Sequence, residues 1–223
     1  MPTRDASRTR SRARRGDGAR LREEILEAAT ELLLETGDDA AVSVRAVATR
    51  VGVTPPSIYL HFADKNELLF ECCSTLLGRL RRDILQSATA LEDPAERLRV
   101  AAHAFVRFGI DNPEPYRIIL MSPHHDLPAG FDPQAYEGLL AFHALRGLVA
   151  DAMDERAGDP SDPSSPASMH AMGLLMAVHG VTSMMVAKAV EPIDFPWPDV
   201  DRLVDHVMDV HLAAIRRTAT PPR

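Results

Sequence analysis

Apolar residues recur along this chain at intervals of three, four and seven, the spacing of one face of an α-helix, and strict alternation of the strand type is not seen. Leu21, Ile25, Ala28, Ala29, Leu32 and Leu33 form the first such face, and Gly37 stands where a left-handed C-terminal residue would end the helix. Ser43, a good N-cap, opens a short second helix that turns Val44, Val47, Ala48 and Val51 inward until Gly52 breaks it. After the turn Gly52-Val53-Thr54 comes a further short segment, PPSIYLHF. Thr54 can cap it, and a proline at the first helical position costs little, because its missing amide would be unpaired there anyway. A residue before proline avoids the helical region, so this helix is expected to begin at Pro55 or Pro56.

Asp64 with Glu67 has the form of a capping box and opens a long helix in which Leu69, Cys73, Leu76 and Leu80 face one way. Pro94 starts another, with Leu98, Ala101, Ala102, Phe105 and Phe108 inward as far as about Asn112. PYRIILM is a short segment, followed by a loop from Ser122 to Gly130. Residues 133 to 157 read as a helix, GDPSDPSSP as a linker, and residues 167 to 189 and 199 to 218 as two closing helices separated by EPIDFPWP. The fold class is therefore all-α. It comprises an N-terminal three-helix unit and a C-terminal helical domain.

Composition narrows this further. The 223 residues are 45% hydrophobic and 26% charged, those of a globular chain with a sizeable core. No run of 18 or so consecutive apolar residues marks a membrane span, and no apolar segment follows the Arg-rich start, so a cytoplasmic protein without a membrane partner is expected. Cys72 and Cys73 are adjacent, cannot build a framework of bridges, and read as small buried apolar residues. The net charge of −7 conceals a division: residues 1 to 22 carry +6, residues 23 to 82 carry −4, and residues 83 to 223 carry −9. A basic arm on an acidic body is a footprint of polyanion binding at one end.

Two short helices joined by a three-residue turn containing glycine, at 43 to 65, have the pattern of a helix-turn-helix, whose second helix presents its first residues to the major groove. Many helical hairpins share that periodicity. The stretch SVRAVATRVGVTPPSIYLHFADKNELL goes further and resembles the DNA-binding segment of the TetR family of bacterial transcriptional regulators, in its GV turn, its YxHF and the lysine that opens the next helix. With the preceding helix and its glycine the resemblance covers residues 20 to 82.

The resemblance implies three regions: a disordered basic arm over 1-18, a DNA-binding domain over 19-82 that includes the start of a connecting helix at 65-86, and an effector-binding and dimerisation domain over 83-223. It implies that Ser43, Thr54, Tyr59, His61 and Lys65 approach phosphates while Arg45, Pro56 and Ser57 meet bases, with Val47, Val51, Ile58, Phe62 and Leu69 in the core. Hydroxyl and cationic donors suit phosphates, whereas bases demand groups that match a groove edge. Pro55 and Pro56 remove two backbone donors, which shifts direct reading toward Arg45 and Ser57. AVHGVTSMM, residues 177 to 185, is similar to the His-Gly signature of one C-terminal subfamily (WHG-like), with Val178 in place of its tryptophan.

The family likeness further implies a homodimer on a palindromic operator in duplex DNA, a repressor released by a small apolar or aromatic effector, with no cofactor, no metal and no enzymatic activity. Met169, Met172, Met176, His179 and Ser183 share one stripe, and an effector pocket is expected at Phe105, Phe108, Tyr116, Met121, Met172, Met176 and His179, with Trp197 a further large group; an ordinary core or dimer face would use the same stripe. His124, His125 and Asp126, with His103, His143, His170 and His179, keep a helical metal-dependent enzyme as an alternative, without any HExxH or Gly-rich phosphate loop to support it. A helical protein-interaction module is the other alternative.

Overall fold

A computed structural model of the chain describes residues 17–121, 132–153, 162–188 and 196–219. Among the described residues the chain is built of α-helices: α1 (Asp17–Thr36), α2 (Val44–Val51), α3 (Pro55–Ile58), α4 (Lys65–Thr89), α5 (Pro94–Asp111), α6 (Pro113–Leu120), α7 (Glu137–Ala152), α8 (Pro166–Lys188) and α9 (Val200–Ala219), with a 3-10 turn at Pro133–Ala135 and no strand. The Arg-rich residues of the basic arm before Asp17 lie outside the described residues, as do His124, His125 and Asp126.

Local rules account for most element ends. Ser43 Oγ accepts from the Ala46 amide at 3.1 Å, and Gly52, at φ 77° and ψ 35°, closes α2 with its N–H on the Ala48 carbonyl at 2.9 Å. A side chain at Gly52 would meet no atom, so the glycine is there for its left-handed backbone and not for space. Asp64 Oδ1 accepts from the Glu67 amide at 2.8 Å while the Glu67 carboxylate takes the Ala63 amide, a capping box displaced by one residue. Two expectations need correction. Thr54 occupies the N-cap position of α3 but its side chain caps no amide; with Pro55 and Pro56 lacking N–H groups, its Oγ1 bonds Ser57 Oγ at 3.0 Å, and its carbonyl takes the Ser57 amide at 2.9 Å. The helix expected from residue 133 starts at Glu137, because Tyr136 is extended (φ −72°, ψ 121°) and separates it from the 3-10 turn.

Two apolar cores result. The first gathers Ile25, Ala29 and Leu33 of α1, Val47 of α2, Ile58 of α3, Phe62, and Leu69, Cys72 and Leu76 of α4. Burial pushes the Cys72 thiol up to about 12 and the Cys73 thiol up to about 11, so both stay protonated. The second joins Leu98 and Val106 of α5, Val149 of α7, Leu174 and Val178 of α8, and Val204, Met208 and Ile215 of α9. Two elements belong to both regions: α4 runs unbroken from one to the other, and α6 buries Ile119 against the first core.

The helix α8 is apolar nearly all round. Over Pro166–Ala187 it is long and apolar enough to cross a membrane by length and composition, which the search for uninterrupted apolar runs missed because Gly, Ser, Thr and His interrupt it. One side (Ala171, Leu174, Val178) is buried in the second core, while Met169, Met172, Met176 and Met184 on the other are exposed, Met176 by 65%.

Candidate DNA interface and effector cavity

The first two cores position two different sites. At the N-terminal end, α1 and α4 hold α2 and α3 from behind. Arg50 of α2 reaches back to Glu35 of α1 at 2.7 Å and to Glu31 at 3.7 Å, a contact that lowers the pKa of Glu35 through the hydrogen bond from the guanidinium. Arg22 of α1 bonds Glu71 of α4 and lies 4.7 Å above the Phe62 ring, clamping the segment just after α3. What these helices leave outward is a polar, cationic face: Ser43, Arg45, Thr54, Pro56 and Tyr59 are exposed, and Ser57, His61 and Lys65 are half-buried. Each residue expected at the DNA therefore lies on or beside α2, α3 and the start of α4. Leu60, missed in the sequence, is 83% exposed next to Tyr59, at 54%, and puts an apolar group on the same face. Its position as the x of YxHF was the available signal. A Cβ at Gly18 would lie 4.0 Å from His61, so α1 begins at this face.

At the other end a cavity of about 210 Å³ opens among α4, α5, α7 and α8. Leu77, Leu80, Ile84, Phe105, Phe142 and Leu174 typify its wall, to which α6 adds Ile119 and Leu120. Of the expected pocket residues Phe105 alone lines it. Phe108 packs against the first core, Tyr116 is fully buried, and Met121, Met172 and Met176 are exposed and do not line the cavity. His179 is held by Tyr116, whose hydroxyl lies 2.6 Å from its Nδ1. The physical reason is helical phase: Leu174 and Val178 reach the cavity, and Met172 and Met176, two residues away from them, take the opposite side of α8. Trp197 is half-buried outside the cavity wall. The cavity residues of α4 and α7 went unnoticed because an apolar stripe does not say which of its members face a void.

Among the described residues no three His, Cys, Asp or Glu side chains converge as a metal would require. His103 instead stands 2.9 Å from Asp205 and 3.5 Å from Asp201, in a chain of ion pairs that also ties Arg99 to Asp209 at 2.7 Å and Arg107 to Asp201 at 2.5 Å, binding α5 to α9. The hydrogen bond from His103 holds the Asp205 carboxyl below its ordinary range.

Comparison with known proteins identifies the family. Residues 25–72 match the family model described as bacterial regulatory proteins, tetR family, and residues 98–211 match the one described as tetracyclin repressor-like, C-terminal domain. The chain belongs to the TetR family of transcriptional regulators. Among relatives of this TetR family chain is the HTH-type transcriptional activator FasR of Mycolicibacterium smegmatis, 33% identical over 152 residues, which span 60% of this chain and 69% of that protein. Among solved structures, a protein from Rhodococcus sp. RHA1 superposes with a TM-score of 0.66 at 20% identity, over 94% of this chain and 98% of that one. FadR of Bacillus subtilis, solved in complex with stearoyl-CoA, does so with a TM-score of 0.60 at 14% identity, over 86% and 97%. Members of the TetR family regulate transcription and are not enzymes, which removes the metal-dependent enzyme from consideration.

Proposed function

We propose that this regulator binds a palindromic operator as a homodimer and that a small apolar ligand, entering the α4–α5–α7–α8 cavity, weakens that binding. The observation that carries the reading is a shared wall. Leu77 of α4 and Ile119 of α6 line the cavity and are also members of the core on which the helix-turn-helix rests. A ligand shifts an equilibrium only by its differential affinity for two arrangements, and a group pressed against Leu77 and Ile119 favours whichever spacing of the DNA-binding units relieves that pressure.

Dimerisation is supported by the outer side of α8. Met169, Met172, Met176 and Met184 of α8 and Val210 of α9 are exposed large apolar side chains, and two long helices from each copy would bury them as a four-helix interface. Twofold pairing also doubles a recognition surface that one short α3 limits to a few base pairs. In this assignment Ser43, Thr54, Tyr59, His61 and Lys65 serve phosphates, and Arg45, Pro56 and Ser57 serve bases. The regulator acts as a repressor wherever its operator overlaps a promoter.

Selection of bound sequences from random duplex DNA tests the reading. The expected product is an inverted repeat whose half-sites lie about 34–36 Å apart or a multiple of that. Titrating the complex with acyl chains, prompted by the stearoyl-CoA held by the B. subtilis relative, should then release the DNA. An asymmetric single site bound by a monomer contradicts it.

A further inference from the structure

The cavity wall is apolar with two exceptions among the described residues: Arg81 of α4 brings a charge and Tyr136, just before α7, brings a hydroxyl. Arg81 is held by Glu137, the first residue of α7, through Nε–Oε2 at 2.9 Å and a second guanidinium nitrogen on Oε1 at 3.5 Å. Both side chains are three-quarters or more buried, at 24% and 21% exposure. Room for the carboxylate is made on α4 itself: a Cβ at Gly78, one turn before Arg81, would stand 2.9 Å from Glu137 Cδ. Phe70 of α4 stacks on Tyr136 with ring centroids 5.7 Å apart, so the same seam is fixed at a second point.

A guanidinium in an otherwise hydrocarbon wall recognises a planar anion through paired N–H donors. Here that guanidinium is paired with a carboxylate of the neighbouring helix, Glu137, which lies behind the cavity wall and not in its lining. Resting on the effector reading of this cavity, we propose that the ligand is an amphiphilic carboxylic acid, its apolar tail among Leu80, Ile84, Phe142 and Leu174 and its carboxylate displacing Glu137 from Arg81. The displaced side chain is not stranded. Glu137 sits in the first turn of α7, where the free amides and the positive end of the helix dipole stabilise a carboxylate. Exchange of one carboxylate for another thus keeps Arg81 neutralised while releasing α7 from α4. That release acts on DNA binding because α4 continues from Arg81 back to Lys65, 16 residues or about 24 Å along a helix rising 1.5 Å per residue. The bond the ligand breaks joins α7 to α4, the helix that continues into the helix-turn-helix.

The test compares dodecanoate with dodecanol, equal in chain and different in head group, both below the concentration at which they aggregate, by titration calorimetry on the full chain and by anisotropy of a labelled operator duplex. In wild type the acid gains a bond to Arg81 only by breaking the one to Glu137, so its affinity should stand within about tenfold of the alcohol's, while the acid alone releases the operator. Arg81→Met should bind the acid no tighter than the alcohol. Glu137→Gln should raise affinity for the acid by about tenfold and leave the alcohol unchanged, because it removes the internal competitor while keeping the side chain's shape. A bridge that merely holds the fold would shift both probes alike. If the alcohol releases the operator as the acid does, or Glu137→Gln fails to favour the acid, the head-group assignment is overturned while the cavity stands as an apolar site; if neither probe binds, both assignments fall.

Discussion

Tyr116 of α6 and His179 of α8 hold each other in the interior, hydroxyl to Nδ1 at 2.6 Å with their rings stacked 5.7 Å apart. The hydroxyl is also 3.3 Å from the His179 carbonyl, and burial pushes its pKa up to about 12, so it stays a neutral phenol. His179 is thereby a brace between α6 and α8 with its Nδ1 already engaged. Tyr116→Phe should cost about 1–3 kcal/mol by leaving that nitrogen without its partner, lowering the melting temperature without changing the selected DNA sequence. Unchanged stability would mean that solvent reaches this histidine.

The roles proposed for the DNA face separate affinity from specificity. Lys65→Ala, at the start of α4 where a phosphate contact is proposed, should weaken all duplexes alike, reducing the salt slope by about 1. Arg45→Ala, on the exposed side of α2, should cost about 1–3 kcal/mol and relax one operator position. Both follow from parallel selection and salt titration of the two variants; identical sequence profiles would refute the division of roles.

What could be foreseen along the chain was what is decided locally. Ser43, Gly52, Asp64 and Glu67 act on amides within a few residues of themselves, and Tyr59 and His61 sit in a short motif, so the helix-turn-helix could be placed in advance. The cavity could not. Arg81 and Glu137 are 56 positions apart, and nothing in either neighbourhood names the other. The only trace was a cation interrupting the apolar series Leu77, Leu80, Ile84, Leu85. The methionine stripe of α8 was visible as a stripe, but whether Met176 met a ligand, the core or another subunit depended on how α5, α7 and α9 occupy the opposite side.

That stripe yields its own prediction. If α8 and α9 form the twofold interface, Met176→Asp places a carboxylate from each copy in an apolar seam, where an unpaired charge is costly. Sedimentation should show a monomer that keeps its helical content and loses at least about tenfold in operator affinity. A variant that remains dimeric moves the interface elsewhere.

Acidity should loosen the same helices. His211 of α9 has its pKa lowered from the ordinary 6.5, first by burial and second by His170 of α8, whose Nε2 is 2.9 Å from Thr218 Oγ1. A histidine with a depressed folded pKa contributes stability that is full above its unfolded value and is lost as pH falls through the folded one. Melting temperature should therefore drop on acidification below about pH 6.5, and His211→Gln should flatten that slope. An equally steep profile in the variant would assign the effect to other groups.

The cavity can be closed from a side that does not touch the proposed dimer face. Ala141 of α7 lines it opposite the exposed methionines, and Ala141→Phe projects a ring into the 210 Å³. Overpacking a full core typically costs about 1–3 kcal/mol, whereas filling a void restores contacts its lining lacked, so retained or raised melting temperature is itself a sign that the space exists. The variant should bind operator DNA as wild type does and no longer release it on addition of dodecanoate. Met176→Trp is the paired control: Met176 is exposed on the far side of α8, so a tryptophan there should leave release intact even where it alters dimer stability. Should Ala141→Phe still respond with unchanged affinity while Met176→Trp loses its response, the ligand sits at the subunit interface and not among α4, α5, α7 and α8.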